Sequence, residues 1–216
     1  MLVSSGVETS GKKTPEPKKG RSLLEELHDY VVLDLETTGL NPVRNEIIEV
    51  AAVKVRSGQI TDSFSSLVKP ERRIDSFITG LTGISNDMVA DAPPIRDVLS
   101  AFLRFVEGEI VVGHNVNFDI GFLHENCRRL FGCGFSNDYV DTLRLSRKLF
   151  PEQRHHRLCD LEQRFGLHNE RAHRALSDVM LTNDCYQILC RHMAESTPAK
   201  AITAGPETQK NGRNQT

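Results

Sequence analysis

A chain of 216 residues, 38% hydrophobic and 26% charged, is sized for one globular domain or two, and for one once its polar ends are set aside. Its formal net charge of −2 excludes a global positive field that draws in nucleic acid, so any such site must rest on a local basic patch or on bound metal. No apolar run approaches a membrane span and the first twenty residues lack the apolar core of a signal peptide, so the expectation is a cytoplasmic protein with no membrane partner.

Residues 1–21 and 194–216 are rich in Ser, Thr, Pro, Lys and Gly or Gln and poor in apolar residues. They are expected to be disordered tails around a folded unit at 22–193. Ser22 is placed to cap a short helix over 23–28. Residues 30–36 then read as a buried strand rich in β-branched residues, which ends with Asp34 and Glu36 two positions apart. Side chains alternate across a strand, so both acids point to one face. At ~4 Å and an effective dielectric of ~20, two such charges repel by about 4 kcal/mol. Two readings stand: solvated acids at an ordinary strand end, or oxygen ligands for a divalent cation. Thr37-Thr38-Gly39 ends the strand and turns the backbone.

Residues 46–56 and 59–69 read as second and third strands around a Ser57-Gly58 turn, an antiparallel meander with the first. Residues 70–94 hold short helical pieces and loops. Residues 95–107 carry apolar residues at helical spacing, and Gly108 ends the run. A short buried strand at 110–112 leads into a helix running to about residue 131, capped by Asn115 or Asn117. Asp119 falls in its first turn, where an acid also offsets the helix dipole. A short strand at 139–141, helices over 142–150 and 158–165, and a long packed helix over 174–193 complete the chain. Strands followed by alternating units give an α/β fold, a mixed sheet covered by helices.

Asp178 lies beside the packed stripe of the last helix, where an acid needs a partner. His173 stands at that helix's entry. A lone histidine is more often structural, yet its type is suited to take a proton from water. The segment 144–157 holds Arg144, Arg147, Lys148, Arg154 and Arg157 against one acid, Glu152, with His155 and His156 added. It reads either as a solvated helix face and loop or as a patch that tracks phosphates toward His173, with Arg171 and Arg174 flanking. The five cysteines form no C-x-x-C pair and are odd in number, so neither zinc spacing nor a disulfide framework is present. Reduced thiols serving as small core residues are expected.

Each acid alone is ordinary; their order is not. The segments LDLETTGLNP, IIEVAAVKV, LVKPERRI, LTGISNDMVADAPP, VVGHNVNFDIGFL, DTLRLSRKLFP and AHRALSDV together resemble the DEDD exonucleases with a histidine, the group containing the ε proofreading subunit of bacterial DNA polymerase III. The resemblance runs from about Tyr30 to Met193. It implies a ribonuclease H-like fold, a five-stranded mixed sheet flanked by helices on both sides. It implies metal-dependent 3′→5′ exonuclease activity that releases nucleoside 5′-monophosphates from the 3′ end of single-stranded DNA, in proofreading or repair. Two Mg²⁺ or Mn²⁺ ions would be held by Asp34, Glu36, Asp119 and Asp178, with His173 as the base. Thr37, Thr38 and Leu40 would lie beside the terminal nucleotide. Asn115 and Phe118 each have two readings, substrate contact or, respectively, helix cap and core. RNA trimming by the same chemistry and a polymerase-tethering role are the alternatives, and a DNA polymerase catalytic subunit is the protein partner implied.

Overall fold

The computed structural model describes residues 18–169 and 172–196. In chain order the elements are β1 (Ser22–Leu23), β2 (Asp29–Thr37), β3 (Ile47–Arg56), β4 (Gln59–Leu67), α1 (Ser76–Thr82), α2 (Asn86–Val89), α3 (Ile95–Phe105), β5 (Val111–Gly113), α4 (Asn117–Phe131), β6 (Tyr139–Asp141), α5 (Thr142–Leu149), α6 (Leu158–Phe165) and α7 (Ala175–Ser196). The sheet order is β1-β6-β5-β2-β3-β4. β3 runs antiparallel to β2 and β4, and the other pairs are parallel. The sheet is therefore mixed, as expected.

Five of its strands are those read from the sequence. The sixth, β1, stands where a capped helix was expected. The correction has a local cause. Ser22 does not cap; its hydroxyl accepts from Arg144 Nη1 at 2.7 Å. Arg21 forks onto Asp138 through Nε at 3.1 Å and Nη2 at 2.6 Å, which lays Ser22 and Leu23 along β6. Long-range pairing outweighs a weak local helix signal.

The alternation of β2 sorts the core into two layers. Val31, Leu33 and Leu35 face α3 and α4, packing with Leu99, Phe102 and Leu123. Tyr30 and Val32 face the other way, onto Leu145, Leu161, Val179, Tyr186 and Leu189 of α5, α6 and α7. Helices thus cover both faces. A third, smaller cluster of Ile48, Ile74, Ile78, Ile84 and Val89 roots α1 and α2. No described helix is long and apolar enough to cross a membrane.

Other boundaries shift modestly. α7 continues through Ser196, three residues past the expected end, and Lys18 to Arg21 lie among the described residues. The rest of the two tails, 1–17 and 197–216, lies outside those residues. α4 has no side-chain cap: its cap residue is Val116. Asn115 instead adopts a left-handed φ of 57°, a conformation asparagine tolerates better than most residues. Its N–H donates to Asp141 Oδ1 at 2.9 Å, while the Asn117 amide oxygen accepts from the Tyr139 hydroxyl at 2.8 Å. All five cysteines are free thiols; Cys127, Cys185 and Cys190 are core residues, but Cys133 and Cys159 are exposed.

Candidate active site

The alternation that puts Val32 against α7 puts Asp34 and Glu36 on that same face. α7 brings Asp178 to meet them. Ligand oxygens of Asp34, Glu36 and Asp178 lie within 4.8 Å of one another. Asp178 is itself oriented: Oδ1 accepts from Asn169 Nδ2 at 2.7 Å and Oδ2 from the His173 N–H at 3.0 Å. Asp119 belongs to α4, in the opposite layer. It is buried, and its Oδ1 accepts from the Leu35 N–H at 3.2 Å. Three acids therefore gather on one face, and the fourth reaches the end of β2 from the other. His173 stands exposed just before α7, with a left-handed φ of 61°.

These acids are costly as they stand. Burial, then the neighbouring Asp119, Glu36 and Asp178, push the Asp34 carboxyl well above its usual range. Burial, then Asp178, pushes Glu36 up to about 8. Burial likewise raises Asp119 and Asp178. Hard oxygen donors, mutually repelling and converging on one point, fit a hard divalent cation. Asp34, Glu36 and Asp178 would hold it.

A sign follows for stability. Between the ordinary carboxylate range and about pH 8, the folded state of the cation-free protein holds protons at these groups that the unfolded chain has released. Stability therefore falls as pH rises through that window. The melting temperature in chelator is expected to drop between about pH 5.5 and pH 8.5. Mn²⁺ is expected to restore it at the alkaline end, since the cation binds the ionised folded form. A melting temperature that climbs with pH in chelator would count against a repelling cluster.

The turn after β2 is built from its own side chains. The Thr37 hydroxyl donates to the Gly39 carbonyl at 2.7 Å, and the Thr38 hydroxyl accepts from the Glu46 N–H at 2.9 Å. A side chain at Gly39 would begin 2.6 Å from Asn45 Nδ2, so only glycine lets Asn45 close the loop. Leu40 then projects with 84% of its surface exposed. Phe118, one residue before Asp119, is half-buried and packs on Phe122 with ring centroids 5.0 Å apart. Its contacts are those of a core residue. Asn115 is exposed at the C-terminal end of β5.

Two acids the sequence reading passed over organise the surroundings. Asp141 is 4% exposed, caps α5 at Leu143 N (3.0 Å) and holds Asn115. Glu49 is 2% exposed and pairs in register with Glu36 across β2 and β3. Its Oε1 accepts from Arg174 Nη2 at 2.8 Å; its Oε2 accepts from Arg174 Nε at 3.2 Å and Ala175 N at 3.1 Å. The available signal was the acid inside IIEVAAVKV. A charge in the middle of a buried strand demands a partner.

The basic segment divides. Arg144 is engaged with Ser22, Arg174 with Glu49, and Arg171 lies outside the described residues. Arg147, Arg154, His155 and Arg157 line a cleft of about 470 Å³ that reaches Asn115 and His114, with no acid in its lining among the described residues. Arg157 pairs with Asp160 at 2.9 Å. Burial lowers His114 to about 4, so it adds no charge there near neutrality.

The sequence pattern of the family described as Exonuclease fits residues 31–186. The DNA polymerase III subunit epsilon of Aquifex aeolicus is 41% identical over 175 residues, 81% of this chain and 86% of that protein. A DNA polymerase III PolC-type protein of Bacillus subtilis is 40% identical over 190 residues, 88% of this chain but 13% of that protein. The chain spans only 11–13% of the length of the PolC-type relatives it matches. Among solved structures, Exonuclease X in complex with 5′ overhanging duplex DNA superposes with a TM-score of 0.59 at 28% identity, covering 77% of this chain and 92% of that one. E. coli Exonuclease I in complex with a dA16 oligonucleotide has a TM-score of 0.67 at 17% identity over 78% of this chain and 42% of that one, a likeness of fold.

Proposed function

The chain belongs to the DEDDh exonuclease family, related to the ε and PolC-type proofreading proteins of DNA polymerase III, and from that premise we propose that it is a metal-dependent 3′→5′ exonuclease acting on single-stranded DNA ends in replication proofreading or repair. The observation that carries the reading is the convergence of Asp34, Glu36 and Asp178 within 4.8 Å on one sheet face. In this reading Asp34, Glu36, Asp178 and Asp119 would together hold two Mg²⁺ or Mn²⁺ ions. When bound, such ions supply a more acidic water and charge stabilisation at the leaving 3′ oxygen.

The chain's own side chains do the rest. His173 accepts the proton of the attacking water. The Thr38 hydroxyl, which accepts from Glu46, keeps its own proton to donate to the terminal nucleotide. Leu40, 84% exposed, is free to pack on the terminal base. Phe118, half-buried beside Asp119, supports the site from the core, and its open face is available to the terminal base. The Arg147 and Arg154 cleft, reached past Asn115, takes the phosphates of the strand behind the 3′ end, so binding is sequence-tolerant and salt-sensitive. On this reading the protein partner is a DNA polymerase catalytic subunit and the location cytoplasmic.

The test is digestion of matched 5′-labelled DNA and RNA oligonucleotides with Mg²⁺, Mn²⁺ or chelator. The expected result is a ladder on single-stranded DNA that shortens from the 3′ end and vanishes in chelator. The same ladder on RNA alone would move the substrate to RNA turnover. Absence of metal-dependent cleavage of either would overturn the reading.

A further inference from the structure

Glu49 stands where the carboxylate cluster meets the segment that carries His173. Resting on the exonuclease reading, we propose that the Glu49–Arg174 pair is the positioning device of the general base: it clamps the backbone just after His173 and so holds the imidazole in place beside the carboxylates.

The geometry is specific. Glu49 lies on the α7 face of the sheet, opposite Glu36, yet it is not one of the three acids whose oxygens converge. Both its oxygens are committed elsewhere. The Arg174 guanidinium takes them in a fork, and Oε2 also accepts the Ala175 N–H. These are the two residues that follow His173. On the near side, the His173 N–H is held by Asp178 at 3.0 Å. His173 is thus straddled, its own amide tied to one acid and its two successors to another. Its left-handed φ of 61° is a conformation that persists only when its surroundings hold it. The Asp178 bond alone fixes one end of that turn; Glu49 fixes the other, and it does so from a strand paired on both sides. The fork also offsets part of the charge that Glu49 presents to Glu36 across the strands. Neither Glu49 nor Arg174 needs to touch substrate for this role.

The experiment is a double-mutant cycle on the full chain. Glu49→Gln keeps the volume and one oxygen acceptor but removes the charge that holds the fork. It is expected to lower kcat by about 10–100-fold, the cost of a misplaced catalytic group, with KM and Mn²⁺ affinity changed by no more than about twofold. In a His173→Ala background the same substitution is expected to change kcat by less than about twofold, because nothing remains to be positioned. An equal fall in both backgrounds, or a fall matched by lost Mn²⁺ affinity, overturns the proposal and makes Glu49 a support of the carboxylates or of the fold. If Glu49→Gln does not fold, Arg174→Lys keeps the charge, loses the fork and must show the same dependence on His173. Should His173→Ala alone leave the rate intact, the assignment of the base fails and the device with it. A slow His173→Ala enzyme with additive Glu49→Gln sinks the device alone.

Discussion

Replacing Asp34 by Ala is expected to lower kcat by more than the ~10⁴-fold that bounds the loss of one general base, and replacing it by Asn to make the cation-free protein more stable. Both halves come from its central place among the acids. Asp34 is repelled by Asp119, Glu36, Asp178 and Glu49. Asp34 faces the other three acids of the proposed ligand set, so its loss would disrupt that set more than the loss of any one of them. In the absence of cation the same crowding is pure cost. Asp34→Asn, nearly isosteric, removes one charge from a cluster in which each close pair repels by up to about 4 kcal/mol. Partial protonation already relieves some of this, so the gain is a fraction of that figure. Each kcal/mol shows as roughly 2–4 °C in a domain of this size. Single-turnover assays and thermal melts in chelator check the pair of effects. A destabilised Asp34→Asn protein, or an Asp34→Ala enzyme as fast as His173→Ala, would contradict the assignment.

Part of this site could be read before the fold was known, and from two sources. Asp34 and Glu36 share a face because strand side chains alternate; the grouping with Asp178 and Asp119 was implied by the family resemblance of the motifs. Local spacing carries the first. It does not carry which layer a helix joins, so nothing in the sequence said that Asp119 arrives from the opposite side and bonds the Leu35 amide. Ser22 was misread for a related reason: its partner, Arg144, is distant in the chain. Glu49 shows the limit most clearly. In IIEVAAVKV it looks like a polar interruption, and its meaning lies in Arg174, far along the chain. Asn115 was read as a cap because asparagine suits caps. The same short amide also suits a left-handed turn, and only Asp141 decides between them.

His173→Ala is expected to lower kcat by roughly 10²–10⁴-fold with little change in KM or in Mn²⁺ affinity. His173 is outside the group of converging carboxylates, and its tie to Asp178 uses the backbone N–H, which any substituted residue retains. The left-handed backbone complicates the variant, because alanine is strained there and could let the turn relax. Asparagine resolves this. His173→Asn tolerates the same φ and keeps a polar side chain, but has no basic nitrogen to take a proton. If His173 acts by proton transfer, the Asn and Ala variants fall together. If its contribution were the shape of the turn, Asn would recover most of the rate while Ala would not. The two variants separate chemistry from scaffold at a position held by a left-handed backbone and by two buried acids, Asp178 before the turn closes and Glu49 after it.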